Sequence, residues 1–470
     1  MIPAMTHRRP RLAAISALLT VVLVAACGNT APSPSAAASA GSGQPSATSE
    51  ASPAASGAVS APPSAAPGAS APAAVNCSDS SATASFSPQP IGPGDPNAAL
   101  FARIEGAVQA IRGLTATKPV PRNTLDQAGL CAFLRQSFNR DNPPELVAAT
   151  ERLYLQLGLL APGVSLEKLY LDLLGSQVVG FYDPTTKQMY LISSTGAIGP
   201  AEQITYAHEY DHALQDQAFD LKSVTGDAKD QSDRTLARTA LVEGDATLLM
   251  SLWAQKNLTP AQLVQIAGSA DPASQAALDA APPILRQTLL WPYTAGLSMA
   301  LGAYQTSASF AGVDALWKNP PDTTEQVLHP DKLATREPAV AVAFPADFAK
   351  RLGAGWKVAL QDTLGELQLN ILMQTGDANA GTDPAAGWGG DRVALVEGPG
   401  GATGAVVDTT WDTSTAAGNA YAELQKLVAK LDAAGKHANV LMPTASRVVL
   451  VSADSAAILG AIANVLGLAG

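Results

Sequence analysis

The sequence predicts an α+β protein: a mainly helical domain with a small β-hairpin over residues 76–340, then a smaller α+β region over residues 341–470. Three observations predict it. Apolar residues recur at helical spacing through most of the chain beyond about residue 95. The period shifts to two between Val178 and Ile192. Past Val340, strand-like Val-rich runs alternate with helical ones.

Taken in order, Ala99 to Leu114 reads as a helix. Thr124 to Phe138 reads as a second, with Leu125, Leu130, Phe133 and Leu134 on its apolar face. Asn142-Pro143-Pro144 punctuates before a helix over Glu145 to Leu157. Ser165 caps the next helix, and Gly175 is expected to stop it. Val178 to Tyr182 and Gln188 to Ile192 read as strands around the turn signal Asp183 to Lys187. A helix starts near Ala201. Beyond a polar loop at Asp227 to Asp233, Arg234 to Gln255 is a long helix and Pro260 opens a short one. Pro282 to Tyr304 is helical with an irregularity expected at Pro292, and Phe310 to Trp317 closes the series. In the second region, Leu364 to Met373, Ala416 to Leu431 and Ala456 to Leu468 read as helices. Val393 to Val396, Ala405 to Val407, and Val440 with Val448 to Val451 read as strands. Asp377 to Gly390 reads as a Gly/Ala-rich loop, with Gly387 to Arg392 a tight turn.

The N-terminus sets the compartment. Arg8, Arg9 and Arg11 precede an apolar run of 15 residues, Leu12 to Ala26. That is short for a membrane span of about 20 residues and normal for an export signal. The run ends Leu23-Val24-Ala25-Ala26-Cys27, which resembles the lipobox of bacterial lipoprotein signal peptides. The resemblance implies a signal peptide over residues 1–26 and lipidation of Cys27. The expected address is the outer face of a bacterial cell membrane, with the membrane as partner through Cys27. From Gly28 to Ala74 the chain is nearly all Ala, Pro, Ser, Gly and Thr, so residues 27–75 are expected to be a lipidated, disordered tether. The other two cysteines, Cys77 and Cys131, suit a disulfide in an oxidising compartment, with two buried thiols as the alternative. Lys plus Arg number 29 against 40 Asp plus Glu, a formal charge of −11. That balance, without basic clusters in the folded part, disfavours a nucleic-acid partner.

His208-Glu209-Tyr210-Asp211-His212 is the sharpest chemical signal. Residues four apart share a helix face, so both imidazoles can reach one ion. Glu209, next to the first ligand, is placed to act as base toward an ion-activated water. Two of only five histidines stand in this pair, although surface histidines on a charged helix remain the bland alternative. A three-ligand zinc site needs one more group. Glu243, 31 residues after His212, lies amid Leu241, Val242, Ala246, Leu248 and Leu249. A carboxylate there is costly to bury unless something pairs with it, and one Zn2+ ion is such a partner.

These residues resemble the gluzincin class of zinc metallopeptidases, which carry H-E-x-x-H and a Glu from a following helix. The nearest likeness is to bacterial metallopeptidase-like lipoproteins with H-E-x-x-H-A-L-Q-D-Q and V-E-G-D-A segments. The resemblance implies a zincin-like domain, zinc ligands His208, His212 and Glu243, and Glu209 as general base and acid. It also implies that Asp216 orients His212. Around Glu243 the pattern departs: the usual acid four residues on is Thr247, leaving Asp245 as the supporting carboxylate. The Val178 to Ile192 hairpin resembles the substrate-aligning edge strand of the class. For the developing oxyanion the candidates are His329 first, then Tyr293, with Tyr304 and Tyr206 behind. The expected function is hydrolysis of a peptide or protein substrate. An inactive envelope-binding module and a zinc hydrolase of a wall amide are the competing readings. The intact Glu209 weighs against the former, because structural zinc needs no adjacent base.

Overall fold

The computed structural model describes residues 76–79, 85–192, 198–226, 230–268, 272–381 and 383–468. The expected signal peptide, lipidated Cys27 and expected tether all fall outside the described residues. The chain opens with β1 (Gln89–Pro90), α1 (Ala98–Arg112), β2 (Arg122–Leu125), α2 (Gln127–Asp141), α3 (Pro144–Gln156) and α4 (Leu166–Gln177). The hairpin β3 (Gly180–Asp183) and β4 (Gln188–Ile192) follows. A helical body is then built from α5 (Pro200–Phe219), α6 (Leu221–Thr225), α7 (Ser232–Asn257), α8 (Pro260–Ala267), α9 (Pro272–Ala280), α10 (Pro283–Ser307), α11 (Ala311–Lys318), α12 (Thr324–Leu328) and α13 (Pro330–Thr335). The last region holds α14 (Phe348–Leu352), β5 (Lys357–Asp362), α15 (Gly365–Gly376), β6 (Trp388–Glu397), β7 (Thr403–Trp411), α16 (Ser414–Ala433), β8 (His437–Thr444), β9 (Arg447–Ala453) and α17 (Ala456–Val465). The fold is α+β and mainly helical, with two small sheets. No helix among the described residues is long and apolar enough to cross a membrane.

The first sheet has the order β1-β2-β4-β3, and only the β2–β4 pair is parallel. It corrects one helix start. Thr124 and Leu125 belong to β2, where they pair with Leu191 and Ile192, and Asp126 then caps α2 by accepting from the Gly129 N–H at 2.7 Å. Gly175 does not end α4. It is buried inside the helix, and its carbonyl accepts from Gln127 Nε2. Pro292 sits within a continuous α10.

Cys77 and Cys131 form a disulfide across 54 residues, with Cα atoms 5.0 Å apart. It ties the start of the described chain to α2. Closing a loop of that length removes entropy from the unfolded chain worth about 4 kcal/mol. Reduction, or Cys131→Ala, is therefore expected to lower the Tm by several degrees; an unchanged melt would show that the link carries no stability.

The second sheet runs β5-β6-β7-β9-β8, antiparallel throughout. Its period-two pattern divides two cores. Val393, Leu395, Val407, Val448 and Leu450 face the main core shared with α15 and α16, while Ala394, Val396, Val406, Val449 and Val451 face α14 and α17. The tight turn expected at Gly387 to Arg392 is instead mostly strand: Trp388 pairs with Trp411 and Gly390 with Thr410. A side chain at Gly390 would meet the Val340 carbonyl at 2.2 Å, so the glycine lets the incoming segment lie on the strand.

The main core runs unbroken across residue 340. One cluster joins Leu241 and Leu249 of α7 to Leu367, Leu369, Ile371 and Leu372 of α15. α7 and α10 cross at Gly244 and Gly296, so closely that a Cβ on Gly244 would fall 2.2 Å from the Gly296 backbone. That contact fixes the height of Glu243 beside it.

Candidate metal centre

α5 begins at Pro200, whose missing N–H costs nothing at a first helical turn, and ends at Asp220 in a left-handed conformation. Every residue from Ile204 to Asp216 is buried. The motif therefore lies in the interior and not on a solvated face. His208 and His212 stand one turn apart, and α7 brings Glu243 to them. His208 Nε2 lies 3.0 Å from His212 Nε2 and 3.2 Å from Glu243 Oε2, and His212 Nε2 lies 3.4 Å from the same oxygen. Each of the three is at most 2% exposed.

This donor set fits zinc. Two imidazole nitrogens and one carboxylate oxygen converge, and a tetrahedral ion with bonds of about 2.0–2.1 Å separates its ligand atoms by about 3.3 Å. Burial lowers the His208 pKa. It opposes charge on His212 and Glu243 too, but their mutual attraction and hydrogen bonding hold His212 above its ordinary value and Glu243 below.

A neighbour fixes the tautomer. Gln215 Nε2 donates to the Val242 carbonyl at 3.2 Å and to Asp211 Oδ2 at 3.3 Å, so Gln215 Oε1 faces His212 Nδ1 at 2.9 Å. Nδ1 then carries the proton, and the Nε2 lone pair points at the centre. The family resemblance assigns this role to Asp216, and no sequence signal marks Gln215 for it. Asp216 instead accepts from the Tyr182 hydroxyl at 2.6 Å, from Lys187 Nζ at 2.6 and 2.8 Å, and from the Leu221 N–H. It ties the β3–β4 turn to α5. Gln215→Ala is expected to weaken zinc binding by about 10–100-fold. Competition against a chromogenic chelator measures this; unchanged affinity would remove Gln215 from the account.

Asp245 does not support Glu243. Two residues along a helix is about 200° of rotation, so the side chain points away. It accepts from Arg112 Nη2 at 2.9 Å and Trp317 Nε1 at 2.7 Å. The other expected residues divide. Glu209, 1% exposed, accepts from the Tyr182 backbone N–H at 2.7 Å. β3 lies at one edge of the first sheet, with all four of its residues buried, and this N–H is already used by Glu209. Tyr293 has its ring 6.2 Å from that of His208. His329 lies elsewhere: between two short helices, it faces Glu366 at 2.8 Å and Asp383 at 3.6 Å. Tyr206 donates to Glu105, and Tyr304 packs on Phe310.

A cavity of about 170 Å³ adjoins the centre, with Glu243 and Tyr293 in its wall and Leu153, Leu174, Leu236 and Leu289 among its apolar lining. Among comparisons with known proteins, residues 350–463 match a family described as a domain of unknown function, DUF8575. His208, Glu209, His212 and Glu243 lie outside the matched residues. No curated protein and no solved structure matches the chain.

Proposed function

We propose that this chain is a zinc metallopeptidase, held by a lipid on Cys27 at the outer face of a bacterial cell membrane and acting on peptide or protein substrates. The observation that carries the reading is the convergence of His208, His212 and Glu243 with Glu209 one residue from the first histidine. Held by those three side chains, zinc supplies a Lewis acid that polarises a carbonyl and makes water more acidic. Glu209 takes the proton from the attacking water and delivers it to the leaving amine. The Tyr182 N–H holds one Glu209 oxygen in place during both transfers. Gln215 keeps the His212 ring in one orientation. Of the candidate oxyanion donors, Tyr293 is the one whose ring neighbours a ligand, and the apolar cavity beside it suits an apolar substrate side chain.

The test is cleavage of a diverse peptide library by the full-length chain in detergent, with and without a zinc chelator, beside peptidoglycan fragments. Chelator-sensitive cleavage of peptide bonds is expected. Cleavage of wall amides alone, or zinc-loaded protein that cleaves nothing, would overturn the reading.

A further inference from the structure

His329, Glu366 and Asp383 form a second convergent group, separate from the triad. One ligand atom from each lies within 4.8 Å of the others. We propose that these residues hold a second divalent transition-metal ion, clamping the helical body to the C-terminal region. His329 comes from the α12–α13 junction, Glu366 from the first turn of α15, and Asp383 from the loop before β6.

Charge and burial support a cation. The Glu366 side chain is fully buried. Its Oε1 faces His329 and its Oε2 is buried with no nitrogen or hydroxyl donor among the described residues, while the carboxyl lies close enough to Asp383 for the pair to share either a proton or a cation. Even a protonated imidazole leaves two carboxylates against one positive charge. Lys332 does not make up the difference, because it is shared among Glu325, Glu337 and Asp412. Burial first, then the negative charges of Asp383, Glu325 and Asp233, all oppose an uncompensated charge on Glu366. A buried carboxylate so placed needs a cation or a proton.

The surroundings are built for holding a ligand. Asn370 Nδ2 donates to Asp383 Oδ1 at 2.6 Å, and Asn370 Oδ1 accepts from the Ala385 N–H at 2.8 Å. Asp383 is thereby oriented with Oδ2 toward His329. The His329 and Asp383 side chains are about one-third exposed, which gives an ion a path in from solvent. One imidazole with two carboxylates suits Zn2+ or Mn2+ better than an all-oxygen ion such as Ca2+.

The experiment is metal analysis of the full-length chain in detergent after saturation with Zn2+ and dialysis. One ion is expected beyond that at the triad, lost in Asp383→Asn and in His329→Gln. The double variant His208→Ala/His212→Ala is expected to keep one ion, which adding Asp383→Asn removes. Adding Zn2+ should also raise the Tm of that double variant, but not of the triple one. The partly exposed positions keep the test valid if Glu366 variants fail to fold. If the triad reading is wrong and this one right, the wild type holds a single ion that Asp383→Asn removes. The proposal is overturned if Asp383→Asn and His329→Gln both retain the full wild-type complement.

Discussion

Replacing Glu209 with Gln is expected to lower the rate of peptide hydrolysis by about 10²–10⁴-fold while leaving zinc bound. Gln has the size of Glu and keeps an oxygen for the Tyr182 N–H, which donates to Glu209 at 2.7 Å. The buried pocket is therefore still filled. What disappears is the basic oxygen that, in the proposed reaction, takes a proton from water. None of the three ligand side chains changes, so the metal remains. Parallel metal analysis and hydrolysis assays measure both halves. Equal rates in variant and wild type would assign the base elsewhere; loss of metal would mean that Glu209 holds the centre together and does not act on substrate.

Gly244→Ala is expected to be strongly damaging for a single added methyl near the site. The added carbon would fall 2.2 Å from both the carbonyl carbon and oxygen of Gly296. Backbone cannot rotate away as a side chain can, so α7 and α10 must separate. Overpacking of this kind costs about 1–3 kcal/mol or more. Glu243 precedes Gly244 on the same helix, so separation also draws a ligand off the centre. Denaturant melts and zinc affinity should fall together. Gly302→Ala is the control: it lies in the same α10, with nothing within 4 Å of the added carbon. There the variant should be neutral or gain up to about 1 kcal/mol from helix propensity. Equal effects at the two positions would contradict the crossing argument.

Much of the site is legible in the sequence because its geometry is local. A four-residue spacing places His208 and His212 on one helix face in any α-helix, and an acid within the apolar run around Glu243 signals a buried partner. The hairpin and the helix carrying the motif follow from short-range patterns. What the sequence hides depends on contacts distant along the chain. β2 is strand because it lies beside β4, beyond three intervening helices, and nothing in Thr124-Leu125 alone announces that partner. The choice between Gln215 and Asp216 is a matter of one helix step, decided by Val242 on α7 and by Tyr182 and Lys187 on the hairpin. His329 stands out by its rarity, a signal of chemistry but not of place. Glu366 and Asp383, which give it a setting, lie in an ordinary helix and a Gly-rich loop that carry no motif.

The central claim is that His208, His212 and Glu243 share one zinc ion, and anomalous diffraction at the zinc edge from crystals of the zinc-loaded chain tests it most directly. The account predicts a peak about 2.0–2.2 Å from His208 Nε2, His212 Nε2 and a Glu243 oxygen. A map with no peak between α5 and α7, or a peak touching only one of the three side chains, would contradict it.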